Sequence, residues 1–161
     1  MTEFTHLDGA GQPAMVDVSE KPASRRTAKA RAVVILPPDV LQHLQSGEIN
    51  TPKGAVFQTA ILAGIMASKQ TSALIPLCHP LGLDICTVNI SVNNRDEVVV
   101  YCTAGNTGKT GVEMEALTGA SVAALTIYDM CKAFSHHIVI REIRLLEKTG
   151  GKKDYFFEEA V

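Results

Sequence analysis

The sequence predicts an α+β fold, a ferredoxin-like β-α-β-β-α-β sandwich whose antiparallel sheet carries its helices on one face. Three observations carry that prediction. Ala55–Lys69 places apolar residues at 57, 61, 62, 65 and 66, the stripe of a helix. Two β-rich runs, Leu83–Val92 and Val98–Thr103, flank the turn-forming Asn93-Asn94-Arg95-Asp96. Val112–Phe134 is rich in Ala, Leu and Met, and reads as a second, longer helix opened by Thr110 or Gly111.

In chain order, residues 1–23 (MTEFTHLDGAGQPAMVDVSEKPA) mix Gly, Pro and polar residues without sustained periodicity. They read as a flexible N-terminal arm that becomes ordered near Met15–Val18, and residues 24–161 as a single domain. Ser24–Leu36 is a strand stopped by Pro37-Pro38, and Asp39–Gln45 a short helix ended by Gly47. Gly64 sits inside the Ala55–Lys69 helix, where glycine costs about 1 kcal/mol against alanine, so it marks a close contact. Ile138–Leu146 reads as a strand and Tyr155–Glu158 as a short final one. The sheet face away from the helices must be wet or covered by another subunit. Apolar Ile85, Val88, Val98 and Val100 favour a homo-oligomer.

Composition narrows the function. A chain of 161 residues with 46% hydrophobic and 20% charged residues is an ordinary globular domain with one core. Fifteen basic against 17 acidic residues give −2, so this is no generic nucleic-acid binder, and any polyanion site must be local. Having no Trp and only 5% aromatics also counts against base-stacking platforms. Cys78, Cys86, Cys102 and Cys131 form no CxxC or CxH pair, so neither a zinc knuckle nor a thioredoxin motif is offered. The start lacks a basic region followed by an apolar run, and no stretch approaches the roughly 20 residues that span a bilayer. The expectation is a soluble, cytoplasmic protein with reduced thiols and no membrane partner.

Four stretches bear chemistry. Lys21–Arg31 holds five basic residues and no acid. Such charges blunt a sheet edge, and they also let Arg26 fork onto phosphate oxygens. In IPLCHPL two prolines bracket His79, and Pro80 keeps its backbone extended, so the imidazole is presented from a stiff segment. No ligand company suggests a metal there. Gly108-Lys109-Thr110-Gly111 invites a P-loop reading, but the required small residue five positions earlier is Thr103, in a hairpin rather than a βαβ unit. What survives is an anion site where small residues lead into a helix N-terminus.

The fourth stretch is the long helix. Glu113 and Glu115 lie in its first turn, where the helix dipole favours carboxylates. Asp129 and Lys132 share a face near its other end. Ile127, Tyr128, Met130 and Cys131 make that turn apolar, which opens both pKa values to tuning. Lys53 in NTPKG and the lysines of KTGGKK, Lys148 to Lys153, complete the set. One His, one Asp, several cations and no metal set suit acid–base work on a phosphorylated small molecule.

GKTGVEMEALTGASVAALTIYDMCKA, LIPLCHPL, MVDVS and RLLEKTGGK together resemble the molybdenum-cofactor biosynthesis protein C family, the cyclic pyranopterin monophosphate synthases. The resemblance runs from about Thr5 to the Gly-Gly-Lys near the end. It implies a ferredoxin-like catalytic domain assembled as a hexamer of three dimers, with active sites at the dimer interface. It implies conversion of (8S)-3',8-cyclo-7,8-dihydroguanosine 5'-triphosphate into cyclic pyranopterin monophosphate with release of pyrophosphate, a phosphorus–oxygen lyase reaction. No cofactor is implied, although a divalent ion can accompany a triphosphate.

By motif, the resemblance makes Asp129 the catalytic acid, with Lys132 and Lys53 beside it. Leu77, Cys78, His79, Met114 and Glu115 match substrate-binding positions, and Glu113, Arg26 and Lys148 belong in or near the pocket. Two departures stand out. Ala55 replaces a common acid, which removes a carboxylate partner for Lys53. Gly119 replaces a common alanine, which should slightly weaken the helix. Two rival readings remain: a ferredoxin-like module that senses a phosphorylated metabolite without catalysis, and RNA binding on the open sheet face. Only Tyr101 serves the latter.

Overall fold

The computed structural model describes residues 9–158. Its elements are β1 (Ser24–Ile35), α1 (Pro38–Leu41), β2 (Leu44–Gln45), β3 (Glu48–Thr51), β4 (Gly54–Ala55), α2 (Val56–Lys69), α3 (Thr71–Leu74), β5 (Ile85–Val92), β6 (Glu97–Gly108), α4 (Glu113–Cys131), β7 (Val139–Thr149) and β8 (Tyr155–Phe156). One antiparallel sheet runs β5-β6-β1-β7-β8, and β2, β3 and β4 form a second, small one. The crossover through α2 carries the chain from β1 to β5, and β6 fills the gap between them. This is the split βαβ arrangement the sequence predicts. Residues 1–8 of the arm lie outside the described residues.

Small side chains at every second position build the sheet's inner face. Ala28, Ala30, Ala32 and Val34 in β1, with Val98, Val100, Cys102 and Ala104 in β6, are all buried beneath the helices. Alanines 116, 120, 123 and 124 and Ile127 of α4 lie in the same core, so the long helix sits close on the sheet. The expectation that Val88, Val98 and Val100 face outward is corrected, because strand alternation puts all three in the core under the helices. The outer face instead carries ion pairs, Arg31 with Glu142 and Arg141 with Glu97.

Gly64 and Gly119 mark where α2 crosses α4. A Cβ on Gly64 would stand 2.8 Å from the Gly119 carbonyl oxygen. One on Gly119 would stand 2.3 Å from Ser68 Oγ and 2.5 Å from Cys102 Sγ. The glycine at 119 is therefore required by packing, and the expected weakening relative to alanine is overruled by lack of room.

Several segments depart from the sequence reading, among them α3, which was not expected, and β7, which runs on past Leu146 to Thr149. The helix expected over Asp39–Gln45 stops at Leu41, because Ser46 (φ 52°) and Gly47 (φ 79°) make a two-residue hairpin turn that pairs Gln45 with Glu48. β6 continues five residues past Thr103, through weak strand formers, because it pairs β1 from Ser24↔Gly108 to Ile35↔Glu97. α2 starts after Ala55, which cannot cap it; Glu48 does so from β3, its carboxylate accepting from the Phe57 and Gln58 amides at 2.8 and 3.2 Å.

Candidate active site

Two groups of functional side chains stand at opposite ends of α4. At its C-terminal end, Asp129 accepts from Lys132 Nζ at 2.7 Å and from Lys53 Nζ at 3.0 Å. Lys132 is one turn on along the same helix. Lys53 comes from the tight turn between β3 and β4, where its amide donates to Thr51 Oγ1 and Gly54 takes φ +112°. The missing acid at Ala55 thus leaves Lys53 no orphan, since α4 supplies its carboxylate. All three side chains are about half exposed. Lys132 first, then Lys53, holds the Asp129 carboxyl below its ordinary range, and Asp129 in turn raises the pKa of Lys132.

At the N-terminal end, two clefts of about 420 and 430 Å³ share Lys21, Thr110, Gly111 and Glu113. The first is lined by Lys21, Arg26, Lys109, Lys148, Lys152 and Lys153, with Glu113 its only acid. Six cations against one carboxylate make the cleft strongly cationic on a chain of net charge −2. Arg26 is aimed by its own Nε, which donates to the Gly108 carbonyl at 3.0 Å. Lys148 pairs with Glu113 at 2.8 Å. The lysine loop is fixed against β1: Ser24 Oγ donates to the Gly150 carbonyl, and Gly150 (φ +83°) lies so close to Arg25 that no Cβ would fit.

The second cleft is lined by Leu77, Cys78, His79, Met114 and Glu115, together with Val16 and Val18 of the arm. His79 Nε2 lies 2.8 Å from the Val16 carbonyl. Glu115 is buried, and desolvation first, with Glu113 adding to it, raises its pKa. Burial and the Glu115 charge likewise raise the Cys78 thiol. This half of the cleft is the more apolar one; the other half is cationic.

Every residue proposed from the sequence therefore falls in one of the two groups: Asp129, Lys132 and Lys53 in one, and Arg26, Leu77, Cys78, His79, Glu113, Met114, Glu115 and Lys148 in the other. Within one protomer they do not meet. Glu113 and Asp129 are sixteen residues apart on α4, about 24 Å at 1.5 Å per residue. The sequence reading held Lys21 and Lys109 only as members of candidate anion-binding stretches, and it did not place Val16 and Val18 in the site. The alternation of MVDVS, apolar against polar, was the signal available for the arm.

Comparison with known proteins bears on the same residues. The MoaC family model matches residues 15–151. The chain is 50% identical over 151 residues to a cyclic pyranopterin monophosphate synthase of Xanthomonas axonopodis pv. citri, covering 94% of this chain and 92% of that protein. A protein of the same name from Xanthomonas oryzae pv. oryzae matches to the same extent. A molybdenum cofactor biosynthesis bifunctional protein of Synechocystis is 52% identical over 155 residues, and this chain spans 45% of its length. The family match takes in both ends of α4, the arm from Met15 onward and all of the cleft but Lys152 and Lys153, and on that extent of agreement this chain belongs to the MoaC family.

Proposed function

We propose that this protein is a cyclic pyranopterin monophosphate synthase, a pyrophosphate-releasing lyase that acts in the cytoplasm on (8S)-3',8-cyclo-7,8-dihydroguanosine 5'-triphosphate. The observation that carries the reading is the six-cation cleft running into a pocket that holds His79 and Glu115. A triphosphate fits the cationic half and a pterin-like ring the apolar half. Four free cysteines suit a reducing compartment. Among the described residues, no helix is long and apolar enough to cross a membrane.

The chemistry divides between the two groups. Rearranging the purine-derived skeleton needs proton donors and acceptors. Closing the cyclic phosphate needs a substrate hydroxyl to attack the α-phosphorus while the bond to the departing pyrophosphate breaks. The hydroxyl proton goes to a base, and the leaving oxygens are neutralised by cations. Arg26, Lys148 and the Lys152–Lys153 loop are placed for that neutralisation. Asp129, held ionised by two ammonium groups, serves as the proton acceptor. The acid role that the family resemblance gives Asp129 passes instead to Lys132 and Lys53, which carry the protons. Leu77, Cys78, Met114 and Glu115 bound the ring.

Because the groups are about 24 Å apart along α4, the site is completed by a second copy. A two-fold axis across α4 would bring the last turn of one helix beside the first turn of its partner. Exposed Leu62 and Met66 of α2 and Leu125 of α4 supply apolar surface on the helix layer for such a dimer. Three dimers would then make the hexamer. Incubation with the cyclised nucleotide tests the reading: stoichiometric pyrophosphate and cyclic pyranopterin monophosphate are expected. Tight binding with no pyrophosphate released would mark a sensor and refute the enzyme.

A further inference from the structure

Resting on that reading of the cleft, we infer that the N-terminal arm is a working wall of the site, and that its Val16 carbonyl is a positioning group that sets the tautomer of His79. A carbonyl oxygen only accepts. The 2.8 Å contact with His79 therefore places a hydrogen on Nε2 and leaves the neutral ring's lone pair on Nδ1. Among the described residues no other group hydrogen-bonds to the ring, so this one contact fixes which nitrogen can take a proton from a ligand. With the arm in place, the neutral ring acts through Nδ1 as an acceptor. It cannot offer Nε2–H to a phosphate without releasing Val16.

The arm is built to hold that carbonyl in place. Ala14, Val16 and Val18 are half-buried while Met15, Asp17 and Ser19 point outward, a two-residue alternation that lays one face on the protein. Asp17 Oδ1 accepts from both the Ser19 amide and hydroxyl, at 2.8 and 2.7 Å. The Lys21 amide closes a turn onto the Val18 carbonyl at 3.1 Å. Lys109 ties the turn down, Nζ donating to the Ser19 carbonyl at 2.6 Å. Lys109 lies in the GKTG stretch just before α4, so the anchor of the arm and the cleft share one segment.

The test is carried out on the full chain, comparing wild type with the double variant V16G/V18G, which removes both inward side chains and no charge. The ¹⁵N shifts of the imidazoles are read by NMR, with His79→Gln assigning the His79 signals. In wild type, His79 Nε2 should show the protonated-type shift and Nδ1 the unprotonated-type shift. In V16G/V18G the two should move toward averaged values, and pyrophosphate release should fall by about tenfold or more. Lys109→Met should move the shifts the same way and Lys109→Arg should restore them. Identical His79 shifts in wild type and both loosened variants, or a wild-type ring protonated on Nδ1 alone, would overturn the inference. Shifts that average while turnover stays unchanged would overturn the positioning role. If wild type releases no pyrophosphate, the proposed function fails, while the nitrogen shifts still decide whether the arm sets the ring.

Discussion

Lys53 Nζ lies 3.0 Å from Asp129 Oδ2, although 76 residues separate the two in the chain. The contact joins a tight β-turn to the last turn of the long helix, and a second ammonium, Lys132, occupies the other carboxylate oxygen. Each cation stabilises the charged carboxylate, and each is stabilised as an ammonium in return.

Removing one partner should show in the pH–rate profile. Lys53→Met takes away one of the two charges that depress Asp129, so its carboxyl moves up toward the ordinary value of 3.8. The acidic limb of kcat/KM should shift to higher pH, and turnover should drop. Asp129→Asn removes the proton acceptor and should cost about 10²–10⁴-fold in kcat. Since Asp129 is half exposed, its replacement should leave the thermal midpoint nearly unchanged, which calorimetry checks.

A site shared between copies predicts complementation. Asp129→Asn and His79→Gln should each be inactive alone. Mixed oligomers made by co-refolding equal amounts should regain about a quarter of wild-type activity, because half of the dimers pair one lesion with the other and keep one intact site. Mixtures as inactive as their parents would place the whole reaction within one protomer.

Gly119→Ala should destabilise the protein in spite of alanine's better helix propensity. The added methyl would press on Ser68 Oγ, Cys102 Sγ and the Gly64 backbone. Overpacking of this kind costs about 1–3 kcal/mol, and each kcal/mol lowers the melting temperature by about 2–4 °C in a chain of this length. A thermal melt at neutral pH reads the sign directly.

Glu115→Gln should raise stability at neutral pH and lower activity. The folded-state pKa of Glu115 is raised, so the native protein binds the proton more tightly than the unfolded chain does. Burial of Glu115 therefore costs nothing well below the ordinary value of 4.5, and the cost grows as pH rises from there until it is fully present above the folded-state pKa. Melting curves of wild type and variant should coincide in acid and separate above it, with the variant higher. Curves that stay superimposed to pH 8 would place no such penalty on Glu115.

Much of the architecture was legible because it is written in local periodicity. The stripes of α2 and α4 and the Asn93–Asp96 turn are each written within a short stretch of chain, and Gly64 correctly signalled a close crossing. The small β2–β4 sheet was not legible, since strands of two to four residues carry no period and depend on Ser46 and Gly47 taking positive φ. Nor was the extension of β6 beyond Thr103, where pairing with β1 overrides weak propensity. Basic and acidic site residues were visible by type. Their sorting into two ends of one helix, and the folding of Val16 over His79, arise from packing between segments distant in sequence.

The unbroken run of α4 from Glu113 to Cys131 gives the molecule a ruler. One extra residue in it would advance everything downstream by about 1.5 Å and swing it through roughly 100°, turning Asp129 away from Lys53 and spoiling its match to a neighbouring copy. The nineteen positions of this rod therefore have a fixed count.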